Sequence, residues 1–378
     1  MIALRVLSVA GGLLIVLAAS MSVLATLVIP RGIPSRISVL VGRRIVRGAF
    51  LTVARRFDSY ETKDRILALA APVALLSIFA TWLVLYLLAY ALLIWGFAAG
   101  AFADAVRESG SSLFTLGFAS SPRVAPTAVA FAAAATGLLI VALEIAYLPT
   151  IYGAFNRRET LVTMLESRAG TPAWGPEILI RHQLVGIVDN LAGFYADWER
   201  WAADVDESHT SYAVTVSLRS PHPLRSWVVA LLAVLDSAAL YNALAPERVP
   251  SEARLCLRMG FTCLRDICRA FGLPFNPDPL PTDPIALTFE EFEVAVDRLR
   301  AVNFPMERSA EEAWPHFKGW RVNYESTAYA LADQTIAVPA PWSGPRRHVP
   351  GTYEPERPPH RRPDDIEGTQ VGYERPKM

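Results

Sequence analysis

Three long apolar runs constrain this chain more than any other feature of its sequence. They cover residues 6–29, 66–97 and 124–148, and Glu144 is the only charged residue in them. A membrane-spanning helix needs about 20 consecutive apolar residues, so each run is long enough to cross a bilayer. The first run also exceeds the apolar core of a signal peptide, which is about 7–15 residues long. It therefore predicts an uncleaved anchor (residues 1–30), with cleavage near Ala25 as the alternative.

The distribution of basic residues predicts the orientation of these spans. Residues 30–65 contain nine Arg and Lys residues, whereas residues 98–123 contain only Arg107 and Arg123. Loops rich in Arg and Lys remain on the cytoplasmic side of a membrane. We therefore expect a multi-pass protein of the cell (plasma) membrane. Its N-terminus and residues 98–123 lie outside, and the chain after the third span is cytoplasmic.

A fourth run, residues 227–245, is apolar except for Asp236 and Asn242. A charged residue near the centre of a membrane helix is expensive, and a fourth span would also move the rest of the chain outside. The run therefore favours a buried helix of a cytosolic domain, and a fourth span is the alternative.

The basic segment between the first two spans (residues 31–65) contains the sequence RRIVRGAFLTVARRF, in which five arginines are interleaved with apolar residues. This pattern is typical of an amphipathic helix lying in the membrane interface. Each basic residue near an anionic lipid surface contributes about 1 kcal/mol to the free energy of membrane binding. We expect this helix to contact anionic headgroups through five side chains: Arg43, Arg44, Arg47, Arg55 and Arg56.

The segment SGSSLFTLGFASS (residues 109–121) lies between the second and third spans and is unusually apolar for a connecting loop. Residues 101–113 are predicted to form a short helix that dips back into the membrane, followed by an extended return. Irregular backbone at membrane depth is tolerated only where protein buries it or where it lines a water-filled cavity. Gly117 has no Cβ and can adopt the dihedral angles that turn carbonyls toward an axis. Phe118 is expected to pack outward and brace the loop.

At these residues the sequence resembles the pore-loop potassium channel family, whose selectivity filter reads Thr-Val-Gly-Tyr-Gly or Thr-Leu-Gly-Phe-Gly. The resemblance covers residues 66–148, a pore-like domain of helix, pore loop and helix. It implies a homo-tetramer that passes potassium or another monovalent cation, without catalysis. The residues that carry it are the filter Thr115, Leu116, Gly117, Phe118 and Ala119, which replaces the second glycine, and the inner-helix hinge Gly137.

Each of these positions also has a simpler interpretation. Residues 115–119 would also suit an apolar extracellular turn, and Gly137 would also suit close packing between helices. Glu144 either forms a ring of charge at the inner mouth or places its carboxylate at the inner interface. If Ala119 needs a left-handed backbone, its Cβ costs roughly 1–2 kcal/mol.

The cytosolic half (residues 149–338) is predicted to be helical. Pro176 begins a helix that runs toward Asp204, and Thr288 with Glu291 forms a capping box. Three cysteines on one helix, without a cluster of histidines, favour reduced core thiols over a zinc site: Cys256, Cys263 and Cys268. Residues 339–378 contain nine of the 28 prolines, which predicts a disordered Pro/Arg-rich tail.

No Gly-rich phosphate loop, nucleophile–base pair or metal cluster is recognisable in the sequence. We therefore predict no enzymatic activity, no cofactor, no metal and no nucleic-acid partner. Two functions remain open: an ion channel with a helical cytosolic domain, and a membrane-anchored scaffold or signalling protein whose helical domain binds a partner.

Overall fold

The computed structural model describes residues 2–29, 35–98, 100–347, 349 and 351–356. Within these residues every regular element is a helix, and pairing between extended segments is limited to isolated bridges. The α-helices are α1 (Ile2–Val23), α2 (Arg36–Ser38), α3 (Arg47–Ala54), α4 (Tyr60–Ala68), α5 (Ala70–Phe97), α6 (Phe102–Leu113), α7 (Val124–Ala169), α8 (Gly175–Val185), α9 (Leu191–Ser211), α10 (Trp227–Leu244), α11 (Ser251–Phe271), α12 (Phe289–Ala301), α13 (Ala310–Arg321) and α14 (Glu325–Thr335).

Four helical stretches are long and apolar enough to cross a membrane: Ile2–Val28, Tyr60–Phe97, Val124–Ala169 and Trp227–Leu244. This composition is compatible with a multi-pass membrane protein. The fourth stretch, α10, differs from the other three because all of its residues are buried inside the protein. No face of α10 is left for lipid, as expected for a core helix.

Helices α1 and α5 pack antiparallel through small residues. A Cβ on Gly12 would lie 2.8 Å from the carbonyl oxygen of Ala89, and one on Gly96 would lie 2.3 Å from a methyl group of Val9. Such small residues allow two membrane helices to approach closely. Hydroxyl groups of α1 also bond to α5: the Ser8 Oγ donates to the carbonyl of Leu92 at 3.0 Å. Helix α1 is therefore packed into a bundle with α5, α6 and the first half of α7, which we call the membrane bundle because α1, α5 and α7 are candidate membrane spans.

Helix α7 is one uninterrupted helix of 46 residues. At 1.5 Å per residue it is about 69 Å long, more than twice the hydrocarbon thickness of about 30 Å. Its second half enters the core of the C-terminal domain through Val162, Leu165 and Ala169. The predicted boundary between the pore-like and cytosolic domains, at residues 148 and 149, therefore lies inside one continuous helix. This helix also accommodates Pro149.

Helices α8–α14 and the end of α7 share one hydrophobic core. The capping box of Thr288 and Glu291 is confirmed, and all three cysteines are free thiols in this core. The helix predicted from Pro176 toward Asp204 is instead two helices. Gly186 adopts a left-handed conformation that ends α8, which glycine does at little cost.

The prediction of a disordered tail from residue 339 is wrong for its first part. Trp342 is buried, and its ring contacts Trp174 and Phe317 with centroid distances of 5.8 and 5.5 Å. Thr171 and Glu356 pair as an isolated antiparallel bridge. Contacts with residues distant in sequence therefore bury this part of the segment, although its proline-rich composition predicted disorder. Residues 357–378, the rest of the predicted tail, lie outside the described residues.

Candidate functional site

Helix α6 begins at the end of α5 and runs back along it. The Trp95 indole N–H donates to the carbonyl of Gly100 at 3.3 Å, and the Trp95 and Phe102 rings lie 5.8 Å apart. Further along α6, the Ser109 Oγ donates to the carbonyl of Leu87 at 2.8 Å. Leu87 lies ten residues before the end of α5, about 15 Å along the helix. The chain therefore turns back beside α5.

The end of α6 contacts α7 at Gly137. A Cβ on Gly137 would lie only 1.9 Å from the carbonyl oxygen of Leu113, so no larger residue fits without a shift. Gly137 lies thirteen residues after Val124, the first residue of α7, or about 20 Å along that helix. The end of α6 is thus far from the ends of the helices that flank it. This contact supports the close-packing interpretation of Gly137, and its role as a hinge remains a prediction.

The loop after α6 is held by two serines at the end of that helix. Four of its N–H groups donate to Ser111 or Ser112: Thr115 to the carbonyl of Ser112 (3.0 Å), Leu116 and Gly117 to the carbonyl of Ser111 (2.8 and 3.2 Å), and Ala119 to the Oγ of Ser111 (2.9 Å). All four N–H groups therefore point toward α6.

These hydrogen bonds determine where the loop carbonyls point. In a planar trans peptide the carbonyl points opposite to the N–H of the next residue. Four carbonyls of the loop, which we call the carbonyl row, therefore point away from α6. No hydrogen bond within the described residues reaches any of them. The carbonyl row belongs to Phe114, Thr115, Leu116 and Phe118.

Two residues of the loop adopt left-handed backbone conformations. Gly117 has φ of 72°, which its lack of a Cβ permits, and Thr115 has φ of 55°. The left-handed conformation costs a residue with a Cβ roughly 1–2 kcal/mol, so the surrounding hydrogen bonds must offset that cost at Thr115. Ala119 is not one of the left-handed residues. Its replacement of glycine therefore does not introduce the strain considered from the sequence.

The side chains of the loop are exposed in a single chain. Leu116 is 63% and Phe118 is 60% exposed, and Phe114 is also exposed. Phe118 therefore does not brace the loop within one chain, contrary to the expectation. The loop therefore combines exposed apolar side chains with carbonyls that accept no hydrogen bond within the described residues.

Ser111 and Glu108 are the residues of the candidate site that sequence analysis missed. Besides the bonds of Ser111, the carboxylate of Glu108 accepts a hydrogen bond from the N–H of Ser121 at 2.9 Å. Both side chains are buried. Their spacing of three residues places them on one face of α6, and this polar face was the signal available in the sequence.

Glu144 lies near the middle of α7, seven residues beyond Gly137. Three residues later, the Tyr147 ring contacts Phe79 near the start of α5 at a centroid distance of 6.5 Å. One carboxylate oxygen of Glu144 is buried and has no hydrogen-bond partner within the described residues. This position suits both interpretations made from the sequence.

The basic helix (residues 36–54) comprises α2, the π-helical turns Val39–Val46, and α3. Its arginines do not all face one surface. Arg47 donates to the carbonyl of Gln334, and the Arg43 guanidinium lies 5.5 Å from the centre of the Phe271 ring. Arg47 is half-buried, whereas Arg43, Arg44, Arg55 and Arg56 are exposed. Headgroup contact by the five arginines stays a prediction, but two of them face the C-terminal domain.

The residues predicted from the sequence therefore occupy three places: the loop after α6, the middle of α7 and the basic helix. The structure brings together the loop and Gly137, because both adjoin the end of α6. Glu144 and the basic helix lie apart from them. The chain matches no family model, no curated protein and no solved structure.

Proposed function

We propose that this protein is a subunit of a homo-oligomeric membrane pore that passes potassium or another monovalent cation. The carbonyl row is the observation that carries this proposal. Carbonyl oxygens arranged around an axis replace the hydration shell of a cation in a selectivity filter. The negative end of the α6 dipole faces the same loop, which further favours a cation there.

The position of the loop along the bundle supports its use as a pore. If α5 and α7 span the bilayer, the end of α6 lies about 20 Å below the start of α7, within a hydrocarbon layer of about 30 Å. Carbonyls without hydrogen bonds are not tolerated against lipid. The carbonyl row must therefore face protein or a hydrated cavity, and a pore provides the latter.

One loop per chain does not enclose an axis, so the pore requires several copies. Closed rings with cyclic symmetry are the usual form of homo-oligomers, and the resemblance implies four subunits. The exposed side chains of Leu116 and Phe118 would be covered by a neighbouring subunit in such a ring. In this arrangement the loop faces the outside and the C-terminal domain is cytoplasmic.

The first test is potassium flux into liposomes that contain the purified protein or its Gly117→Asp variant. We expect flux from the parent protein and none from the variant. An aspartate is strained at a φ of 72° and places a carboxylate beside the carbonyl row. Equal flux from the two proteins would refute the proposal.

A matched serine pair separates the loop geometry from general damage to α6. The Ser111→Ala substitution removes the hydroxyl that accepts the Ala119 N–H bond, which is worth about 1 kcal/mol. The Ser112→Ala substitution leaves the backbone bond of Ser112 intact. We expect Ser111→Ala to reduce flux several-fold and Ser112→Ala to leave it nearly unchanged. The reverse order would contradict the anchoring role of Ser111.

The alternative function is a membrane-anchored scaffold or signalling protein. The observation that favours it is the size of the C-terminal core, which exceeds that of the membrane bundle. Under this alternative the correctly assembled protein shows no flux, and Gly117→Asp has no effect on function.

A further inference from the structure

A cavity of about 220 Å³ lies where the basic helix, the start of α5 and the C-terminal domain meet. None of the residues of the carbonyl row lines it, and its α5 residues (70–78) lie toward the start of that helix from Leu87, where Ser109 of α6 contacts α5. Its walls come from stretches of the chain that are distant in sequence, from residues 25–26 to residues 334–336. The cavity is therefore a feature of the tertiary structure.

One wall of the cavity is an apolar face of the α5 segment. Ala71, Ala74, Leu75 and Ile78 follow one another at helical spacing along this wall. The small alanines leave space that larger side chains would fill. These residues belong to the first turns of the second apolar run, so the wall begins where that span leaves the cytoplasmic interface.

A second part of the lining carries positive charge. Arg43 and Arg47 of the basic helix both line the cavity, and neither forms an ion pair with a carboxylate within the described residues. Arg219, a third lining arginine, is different because it pairs with Asp64.

The charge of the two unpaired arginines is only partly compensated by their surroundings. Burial lowers the pKa of Arg47, and the neighbouring Arg43 guanidinium lowers it further, whereas Asp333 raises it. Arginine nevertheless remains protonated in proteins. Two guanidinium groups thus share one cavity without a carboxylate between them, and an anion would relieve their repulsion.

We propose that this cavity binds one anionic phospholipid, with its phosphate on Arg43 and Arg47 and the start of its acyl chains against the α5 wall. Guanidinium groups bind phosphate oxygens with charge-assisted hydrogen bonds. A free phosphate would satisfy the arginines but would leave the apolar wall without a partner. The combination of both walls therefore favours an amphiphile over a small anion. The proposal requires a membrane location but not ion conduction.

The occupant would also connect the membrane bundle to the C-terminal domain. The lining includes Gln334, Thr335 and Ile336 at the end of α14, and Arg47 already donates to the carbonyl of Gln334. A lipid phosphate between the basic helix and α14 would stabilise this junction. Lipid composition would then affect the position of the C-terminal domain relative to α5.

Native mass spectrometry of the full-length protein in detergent tests the proposal, with phosphatidylglycerol as the probe and phosphatidylcholine and inorganic phosphate as comparisons. We expect one phosphatidylglycerol per chain to be retained under conditions that remove phosphatidylcholine. The Arg43→Gln/Arg47→Gln double variant should bind it at least tenfold more weakly. Ala74→Leu, which fills the cavity without changing charge, should have the same effect.

The matched control is the Arg44→Gln/Arg56→Gln double variant, because both arginines are exposed and neither lines the cavity. We expect its affinity for phosphatidylglycerol to equal that of the parent protein. An equal loss in both double variants would mean general attraction to charge and would overturn the proposal. Displacement of the lipid by inorganic phosphate would also overturn it, in favour of a small-anion site. These binding results do not depend on whether the protein conducts ions.

Discussion

Replacing Gly137 by alanine tests the contact that holds the end of α6 against α7. The new Cβ would lie 1.9 Å from the carbonyl oxygen of Leu113, whereas ordinary contact begins at 3.4 Å. The two helices must therefore separate by about 1.5 Å to restore a normal contact distance. The atom in the way belongs to the backbone, so a change of side-chain rotamer does not relieve the clash.

The size of the effect follows from two opposing terms. Overpacking of this kind costs about 1–3 kcal/mol. Alanine stabilises a helix by up to about 1 kcal/mol relative to glycine. Gly11→Ala in α1 isolates the second term, because a Cβ there meets no atom within 4 Å. We therefore expect Gly137→Ala to be less stable than Gly11→Ala by about 1–3 kcal/mol, a difference of several degrees in Tm.

Thermal unfolding of both variants in the same detergent measures this difference, and liposome flux shows whether the loop has moved. We expect Gly137→Ala to lower both Tm and flux, and Gly11→Ala to lower neither. If Gly137 instead serves only as a hinge, alanine would stiffen α7 and raise its stability. A Gly137→Ala variant at least as stable as Gly11→Ala would therefore refute the packing argument.

Two further predictions concern the C-terminal domain. Burial, followed by repulsion from Asp266, raises the pKa of Asp206 from 3.8 to about 6. The folded protein therefore holds this proton more tightly than the unfolded chain, and stability falls as pH rises from about 4 to 6. Asp206→Asn should raise Tm at pH 7.5 but not at pH 4, whereas the exposed control Asp197→Asn should change neither. Trp342→Ala should lower the free energy of unfolding by about 3–5 kcal/mol, and an unchanged Tm would show that the Trp342 ring does not contribute to the core.

Local patterns in the sequence were sufficient to predict the three long apolar helices α1, α5 and α7. The three apolar runs became α1, α5 and α7 because their length and lack of charge are properties of the runs themselves. The capping box at Thr288 was also predictable, because the hydrogen bonds that define it join residues three positions apart. The absence of a Cβ on Gly117 likewise indicated that this residue can adopt unusual dihedral angles, and its φ of 72° is one of them.

The site depended on contacts that local patterns do not contain. Gly137 suited both a hinge and a packing contact, and only its distance from Leu113 favours packing. Ser111 looked like an ordinary polar residue near the end of a helix. Its role depends on the return of the chain to Ala119, eight residues later.

Long-range packing also determined where the arginines of the basic helix point and whether the start of the proline-rich tail is buried. The sequence alone established an all-helical chain with apolar helices long enough for a membrane, because hydropathy and helix signals are local. Only the tertiary structure directed Arg43 and Arg47 toward the C-terminal domain. It also buried Trp342 against Trp174 from a proline-rich segment. The physical reason is that burial and charge compensation depend on which distant residues meet, and the composition of a segment does not specify its partners.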